Sequence, residues 1–173
     1  KVYGAGQGIK DEPERDLMQN RSYVLIDIPQ VEDTYMKYYA NMEVFGAGAY
    51  GGLGMIYNKA TTEAADFNLN KASAVIDLMR GKVKDVFGGS FEEGVTRRTV
   101  INVPTGSTIQ LKRIFGGAYG DNPLIPCDVY EAHVNYHSAD ACVEKIFGGN
   151  NSADRTLYGQ INIDVPVYTG SRA

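Results

Sequence analysis

The most constraining feature of this sequence is a short corner motif that occurs five times. In each occurrence an aliphatic residue and an aromatic ring are followed by glycine and then by glycine or alanine. The rings are 42, 42, 28 and 32 residues apart, at Tyr3, Phe45, Phe87, Phe115 and Phe147. Such spacing predicts a chain of similar units, because a unit this short buries its apolar face only against its neighbours.

The rest of each unit has the pattern of two short strands. Apolar and polar residues alternate after each corner, as in a strand with one buried face. Ile76 and Leu78, for example, share one face while Asp77 takes the other. The alternating segments are residues 23–29, 74–79, 99–103, 132–136 and 160–165. A second strand precedes the next corner in the three clearest units, at residues 82–86, 108–114 and 142–146.

Alignment of these units on the aromatic ring predicts columns of like side chains. The columns are Val83, Leu111 and Val143, and Val86, Ile114 and Ile146. We therefore expect one all-β domain over residues 1–173, a parallel β-helix (β-solenoid) of about five coils with two inserted loops. An antiparallel sandwich or barrel is the alternative, since its strands also alternate.

Glycine at the corners fits a close approach of backbone to backbone, which a Cβ would obstruct. The chain has 20 glycines in 173 residues, more than the usual ~7 %. The expected structural corners consist of the five rings with their glycines, namely Gly4, Gly46, Gly88, Gly89, Gly116, Gly117, Gly148 and Gly149.

Two longer units carry the inserted loops, which we expect to project from the coils. The first loop covers residues 31–41, and the second covers residues 51–70, where residues 61–66 have helical propensity and a threonine for an N-cap. Exposed tyrosine offers a rigid contact for a sugar ring or a protein, with core packing as the alternative. The binding candidates are Tyr35, Tyr38, Tyr39, Tyr50 and Tyr57.

Charge and hydropathy restrict the partners. The net charge is -4 and no cluster of lysine and arginine occurs, so we expect no nucleic acid partner. No apolar run reaches the 18 residues of a membrane helix. The chain starts at Lys1 rather than methionine, and we expect a segment of a longer chain whose ends stack on further repeats or on end-to-end copies.

Residues that bind metals or cofactors do not form a recognisable set in the sequence. His133 and His137 would lie roughly 13 Å apart on an extended strand, too far for one ion, so we expect no metal. A disulfide between Cys127 and Cys142 stays open. Residues 46–52 approach a dinucleotide fingerprint, but no helix begins there and we expect no cofactor.

The corner, its polar turn and the alternating strand together resemble the glycine-rich repeats of cell-surface and secreted proteins of Bacteroides-type bacteria. Residues 86–165 carry the likeness best, and Ala5 and Ala47 replace the second glycine earlier in the chain. The resemblance implies an extracellular or outer-membrane location and a non-enzymatic, structural or adhesin-like role. It brings no catalytic residue.

Two alternative functions remain open. One is a carbohydrate-active β-helix enzyme, a polysaccharide lyase or hydrolase, and the other is a glycan-binding module that uses the tyrosine-rich inserts. The charged residues available to such an enzyme are Asp77, Asp85, Arg97, Arg98, Lys112 and Arg113. Solvated surface charge is the ordinary interpretation of these residues.

Overall fold

A computed structural model describes residues 1–12, 20–29, 41–66, 73–122, 124–152 and 154–165. Within these ranges the regular secondary structure consists of twelve strands. They are β1 (Val2–Tyr3), β2 (Arg21–Asp27), β3 (Glu43–Phe45), β4 (Met55–Asn58), β5 (Glu63–Asp66), β6 (Ser73–Arg80), β7 (Lys82–Phe87), β8 (Thr96–Val103), β9 (Gln110–Phe115), β10 (Val129–Tyr136), β11 (Cys142–Phe147) and β12 (Thr156–Ile163).

Ten of the strands form two parallel sheets. Sheet A has the order β1-β3-β7-β9-β11, and sheet B has the order β12-β10-β8-β6-β2. The chain alternates between the two sheets from β6 to β12, so each strand pairs with the strand two positions along. The remaining two strands, β4 and β5, form an antiparallel hairpin.

The expected β-helix is wrong. The chain is all-β, but its described strands form two open five-stranded parallel sheets and one antiparallel pair, not the continuous coils of a closed solenoid. The reason is that alternation and recurrent corners indicate which strands stack in parallel, whereas they do not indicate whether the sheets close.

The second inserted loop also differs from expectation. Residues 61–66 have helical propensity, but Glu63–Asp66 is strand β5, paired antiparallel with Met55–Asn58. Thr61 and Thr62 lie in the hairpin turn, where the Asn58 Oδ1 accepts hydrogen bonds from the backbone of Ala60 and Thr61. Strand pairing with β4 overrides local helical propensity here. Of the first inserted loop, residues 31–40 lie outside the described residues.

The main core lies between the inner faces of the two sheets. The register pairs Val83 with Leu111 and Leu111 with Val143, the column that the sequence alignment gives. On sheet B the corresponding column runs through Ile76, Ile101 and Val134. The buried members of this core are Val24, Ile26, Val44, Ile76, Leu78, Val83, Val86, Ile101, Val103, Ile109, Leu111, Ile114 and Val134.

The five corner rings form a second column outside this core. Neighbouring rings are stacked with centroids 5.3, 5.0, 4.9 and 4.7 Å apart, in the order Tyr3, Phe45, Phe87, Phe115 and Phe147. The following glycines stack as well, since the backbone N–H of Gly46 donates to Phe87 and that of Gly88 to Phe115. A Cβ on Gly88 would collide with the carbonyl oxygen of Gly116.

Candidate functional site

A surface cleft of about 770 Å³ lies between the β4–β5 hairpin and the segments that enter β10 and β12. Its size falls in the range of small-ligand pockets, about 300–1,000 Å³. The lining residues are Tyr57, Thr62, Glu63, Ala64, Val95, Asn122, Leu124, Pro126, Asp128, Tyr130, Asp154 and Arg155. We call this space the hairpin cleft.

Backbone hydrogen bonds to strand β8 and to the two residues before it hold the walls of the hairpin cleft in place. Leu53, just before the hairpin, donates to Val95 and accepts from Arg97. On the other wall, the N–H of Gly94 donates to Pro126, and that of Thr96 donates to Asp128. The lining is therefore attached to sheet B from both sides.

Two tyrosines give the cleft its aromatic surface. Tyr57 is buried in a small apolar cluster with Met55, Val95 and Ile125, and Tyr130 packs against the same cluster while remaining partly exposed. Strand β4 positions Tyr57, and strand β10 positions Tyr130. Both rings are thus held by packing against the scaffold.

An ion pair between Asp128 and Arg155 lies just before the start of β12. The buried carboxylate of Asp128 accepts from Nη2 and Nε of Arg155 at 2.6 and 3.0 Å, and from the Arg155 backbone N–H at 2.8 Å. Hydrogen bonding to Asp128 raises the pKa of Arg155. The Arg155 side chain is 75 % exposed, so a cation stands at the cleft while its counterion is buried.

The pKa of the Asp154 carboxyl group, which lines the cleft, is shifted from its ordinary value. Burial raises its pKa above the ordinary 3.8, and nearby Asp128 acts in the same direction. A hydrogen bond from the Ser152 hydroxyl, at 3.1 Å, opposes the shift. The fully buried thiol of Cys127 lies nearby, and burial raises its pKa well above the ordinary value of 9.0.

Asn122 is oriented by a buried acid behind the cleft wall. Glu93 is fully buried and accepts from the backbone N–H of Asp11 at 3.0 Å and from Nδ2 of Asn122 at 3.2 Å. The Oδ1 of Asn122 in turn accepts from the backbone N–H of Leu124 at 2.9 Å. The amide side chain is therefore held in a defined orientation at the rim.

Of the two predicted binding tyrosines that the structure describes, Tyr57 lines the hairpin cleft. Tyr50 is half-buried beside Gly8 and does not line the cleft. The other three candidates, Tyr35, Tyr38 and Tyr39, lie outside the described residues.

The structural corners lie apart from the cleft. Each ring with its glycines stacks on the next corner through backbone hydrogen bonds, for example from Gly89 to Gly117 and from Gly117 to Gly149. Lys1 covers the ring of Phe91, which packs edge-on against Phe45. The corner residues are Tyr3, Gly4, Phe45, Gly46, Phe87, Gly88, Gly89, Phe115, Gly116, Gly117, Phe147, Gly148 and Gly149.

The acids considered for catalysis have structural partners. Asp85, which is buried, accepts from Nε and Nη2 of Arg113 at 2.7 and 2.6 Å. Asp77 accepts from the Tyr23 hydroxyl at 2.6 Å and from Nδ2 of Asn102 at 2.7 Å. Neither acid lines the hairpin cleft.

Of the remaining basic candidates, Arg98 and Lys112 are exposed and Arg97 is partly buried. Arg97 and Arg98 lie 3.9 and 3.6 Å from the carboxylate of Glu131 on sheet B, and Lys112 is exposed on β9. Glu131 also contacts Nε2 of His133 at 2.7 Å, and this hydrogen bond lowers the pKa of Glu131.

Metal ligation and cysteine pairing were the remaining questions from the sequence. Over the described ranges, no group of three or more histidine, cysteine, aspartate and glutamate side chains is arranged to hold an ion. Cys127 and Cys142 are free thiols, the first buried and the second exposed on β11. In the described part of the chain, no helix has the length and apolar character needed to cross a membrane.

Sequence reasoning missed Asn122, Asp128, Tyr130 and Arg155 as cleft residues. Asp128 and Tyr130 lie on either side of Val129, where β10 begins. Their position at a strand start after a polar loop is the local signal that they share. The cleft joins segments that lie far apart in the sequence, so its composition depends on the sheet register.

Comparisons with protein-family models, with curated proteins and with solved structures found no match.

Proposed function

We propose that this chain is a non-enzymatic, adhesin-like segment of an exported bacterial surface protein, and that it binds neutral carbohydrate in the hairpin cleft. The observation that carries the proposal is the pairing of two anchored rings, Tyr57 and Tyr130, with fixed polar groups in one cleft. Tyrosine offers a rigid, amphipathic contact surface with a polar tip, which suits the apolar face of a sugar ring.

The polar groups of the cleft suit the hydroxyl groups of a sugar. Ionised carboxylates are strong acceptors, and an amide and a guanidinium both donate. Arg155 supplies donors at a position fixed by Asp128, and Asn122, whose Nδ2 already donates to Glu93 and Asp11, supplies the remaining acceptor site of its Oδ1. Groups held in place before binding lose little entropy when the ligand arrives.

The charge of the lining favours a neutral sugar over an acidic one. Among the described residues, Glu63, Asp128 and Asp154 line the cleft together with one cation, Arg155. Since Asp128 is paired with Arg155, the remaining carboxylates give the cleft negative character. A uronate or sulfated sugar would meet like charge, which disfavours binding.

The two sheets act as the scaffold in this proposal. Backbone hydrogen bonds fix both cleft walls to sheet B, so a ligand binds without reorganising the fold. The resemblance of the corners to those of Bacteroides-type surface proteins supports an extracellular or outer-membrane location. Protease accessibility on intact cells of a native host tests that location.

Binding is tested by screening the full chain on an array of neutral and acidic oligosaccharides, followed by calorimetry with the neutral sugars that bind. Tyr130→Ala is expected to weaken binding at least about tenfold. The matched control is Tyr23→Ala, which removes an exposed ring on β2 outside the cleft and leaves affinity unchanged. Equal affinity of both variants, with thermal unfolding showing both folded, contradicts the proposal.

One observation favours the alternative of a glycoside hydrolase. Burial raises the pKa of Asp154, and a raised pKa suits a carboxyl group for general acid catalysis. Incubation of the sugars that bind, followed by reducing-end analysis, separates the two functions. Turnover that Asp154→Asn abolishes would establish the enzyme, whereas intact sugar supports binding alone.

A further inference from the structure

We propose that Asp11, in the N-terminal segment, ties the two walls of the hairpin cleft together and so sets the width of the cleft for its ligand. The inference rests on the carbohydrate-binding function proposed above and adds a positioning residue that does not itself line the cleft. The contacts that carry it join Asp11 to Glu93, Asn122 and Lys59. We call this set of contacts the Asp11 clasp.

Glu93 anchors the Asp11 clasp to the interior of the protein. Its side chain is fully buried, and both carboxylate oxygens accept the backbone N–H of Asp11 at 3.0 Å. Loss of this donor would leave part of a buried charge unsatisfied, so the contact is costly to break. Asp11 has a φ of +65°, which aspartate tolerates better than most residues other than glycine. The Asp11 backbone is therefore held at one defined place.

The Asp11 side chain contacts the cleft wall that contains Asn122. Nδ2 of Asn122 donates to Oδ1 of Asp11 at 3.3 Å and to Oε1 of Glu93 at 3.2 Å. Oδ1 of Asn122 accepts from the backbone N–H of Leu124, a second lining residue, at 2.9 Å. Asp11 and Glu93 thus orient one amide that shapes this part of the rim.

The Asp11 carbonyl contacts the opposite wall, which is the β4–β5 hairpin. Its oxygen accepts from Nζ of Lys59 at 2.7 Å. Lys59 lies in the hairpin turn with Thr62, and both Thr62 and the following Glu63 line the cleft. Since Leu53 attaches the base of the hairpin to sheet B, Lys59 holds the far end of the same element. A wall held at both ends loses little entropy when a ligand binds.

The Asp11 clasp is tested first on the full chain without sugar, by hydrogen exchange of backbone amides. Lys59→Met removes the donor to Asp11, and we expect amides of residues 55–58 and 63–66 to exchange about fivefold faster. Lys82→Met is the matched control, because it removes an exposed lysine on β7 outside the cleft and leaves hairpin exchange unchanged. Equal hairpin exchange in the two variants overturns the inference, whether or not the protein binds sugar.

The second test is the affinity for a neutral oligosaccharide that the wild-type chain binds, measured by calorimetry. Asp11→Gly keeps the backbone contacts, accepts the φ of +65° and removes the side-chain acceptor for Asn122. We expect about fivefold weaker binding for Asp11→Gly and for Lys59→Met, with thermal unfolding showing both folded. Asp11→Asn retains Oδ1 and is expected to keep wild-type affinity. Unchanged affinity in Asp11→Gly, or an equal loss in Asp11→Asn, overturns the positioning role.

Failure of the carbohydrate function gives a different result from failure of the Asp11 clasp. A wild-type chain that binds no sugar contradicts the proposed function, whereas faster hairpin exchange in Lys59→Met still supports the clasp. Faster hairpin exchange together with unchanged sugar affinity in Lys59→Met would overturn the claim that the clasp positions the cleft for its ligand.

Discussion

The rings of Phe87 and Phe115 stack with centroids 4.9 Å apart and planes within 7° of parallel, although 28 residues separate them in the chain. The glycine after each ring stacks in the same way, through the hydrogen bond from Gly88 to the Phe115 carbonyl. The corner motif recurs because each corner packs on the next, and ring and glycine are both needed for that packing.

Removal of a ring from the middle of the column should destabilise the fold more than removal at its end. Phe87→Ala is expected to lower the free energy of unfolding by about 3–5 kcal/mol, as for other buried phenylalanines. Phe147→Ala removes a ring that is already partly in water, and we expect about 1–2 kcal/mol. Urea unfolding of both variants measures the difference. Equal losses would contradict the packing of the column.

Substitution of a corner glycine should be costly for lack of space rather than for backbone strain. Gly88→Ala brings a Cβ onto the Gly116 carbonyl and the Thr99 side chain, and we expect a loss of about 3 kcal/mol. Gly106 is the control, because it has a φ of +80° and nothing lies within 4 Å of its added Cβ. Gly106→Ala should cost about 1 kcal/mol through backbone strain alone. The reverse order, measured by urea unfolding, would contradict this account.

The pair between Asp85 and Arg113 should stabilise the corner side of sheet A. Asp85→Asn leaves Arg113 without its buried counterion, and we expect a loss of about 2–3 kcal/mol, tempered by the exposed part of Arg113. The control is Asp27→Asn, which breaks the exposed pair with Arg80 and should barely change stability. Thermal unfolding with calorimetry provides both values. Equal losses of stability in the two variants would mean that burial of Asp85 adds nothing to the stabilisation by its pair with Arg113.

Asp154 and Glu131 should affect the pH dependence of stability with opposite signs. Because its pKa is raised in the folded state, Asp154 contributes to stability. This contribution is complete below the ordinary pKa of 3.8 and is lost as pH rises through the folded-state pKa. Asp154→Asn should therefore gain stability relative to wild type as pH rises. Urea unfolding across the acid range measures this difference.

Glu131→Gln is the matched comparison for Asp154→Asn. The lowered pKa of Glu131 gives stability that is present above its ordinary value of 4.5 and is lost as pH falls through the folded-state value. The variant should be less stable than wild type at neutral pH, with a deficit that shrinks in acid. Differences of the same sign for both variants would contradict the assigned environments.

The sequence predicted the strands better than their arrangement. Alternation located each strand of sheet B, and alignment on the rings placed Val86 beside Ile114, because both patterns depend on side chains that stack directly. The N-terminal halves of β8, β10 and β12 were missed. Strict alternation fails there, since the buried residues Thr96 and Thr99 on β8, and Val129 and Ala132 on β10, are three positions apart. The prediction that the sheets close into coils was wrong, because no local sequence pattern encodes closure.

The candidate site could be predicted only in part. Tyr57 was singled out as an aromatic residue beside an insert, but its partners Tyr130 and Arg155 reach the same cleft through the register of β10 with β8 and β12. The hairpin was not predicted, because residues 61–66 have helical propensity and the pairing of β5 with β4 outweighs it. Long-range pairing of this kind has no signature within a single segment.

The most direct test of the proposed function is to map the binding surface by amide chemical shifts. A neutral oligosaccharide selected on the array is titrated into the ¹⁵N-labelled full chain. The account predicts that the largest shifts fall on residues 62–64, 122, 124, 128–130 and 154–155 around the hairpin cleft. Shifts confined to the corner column or to β2, or binding with no shift in the hairpin cleft, would contradict it.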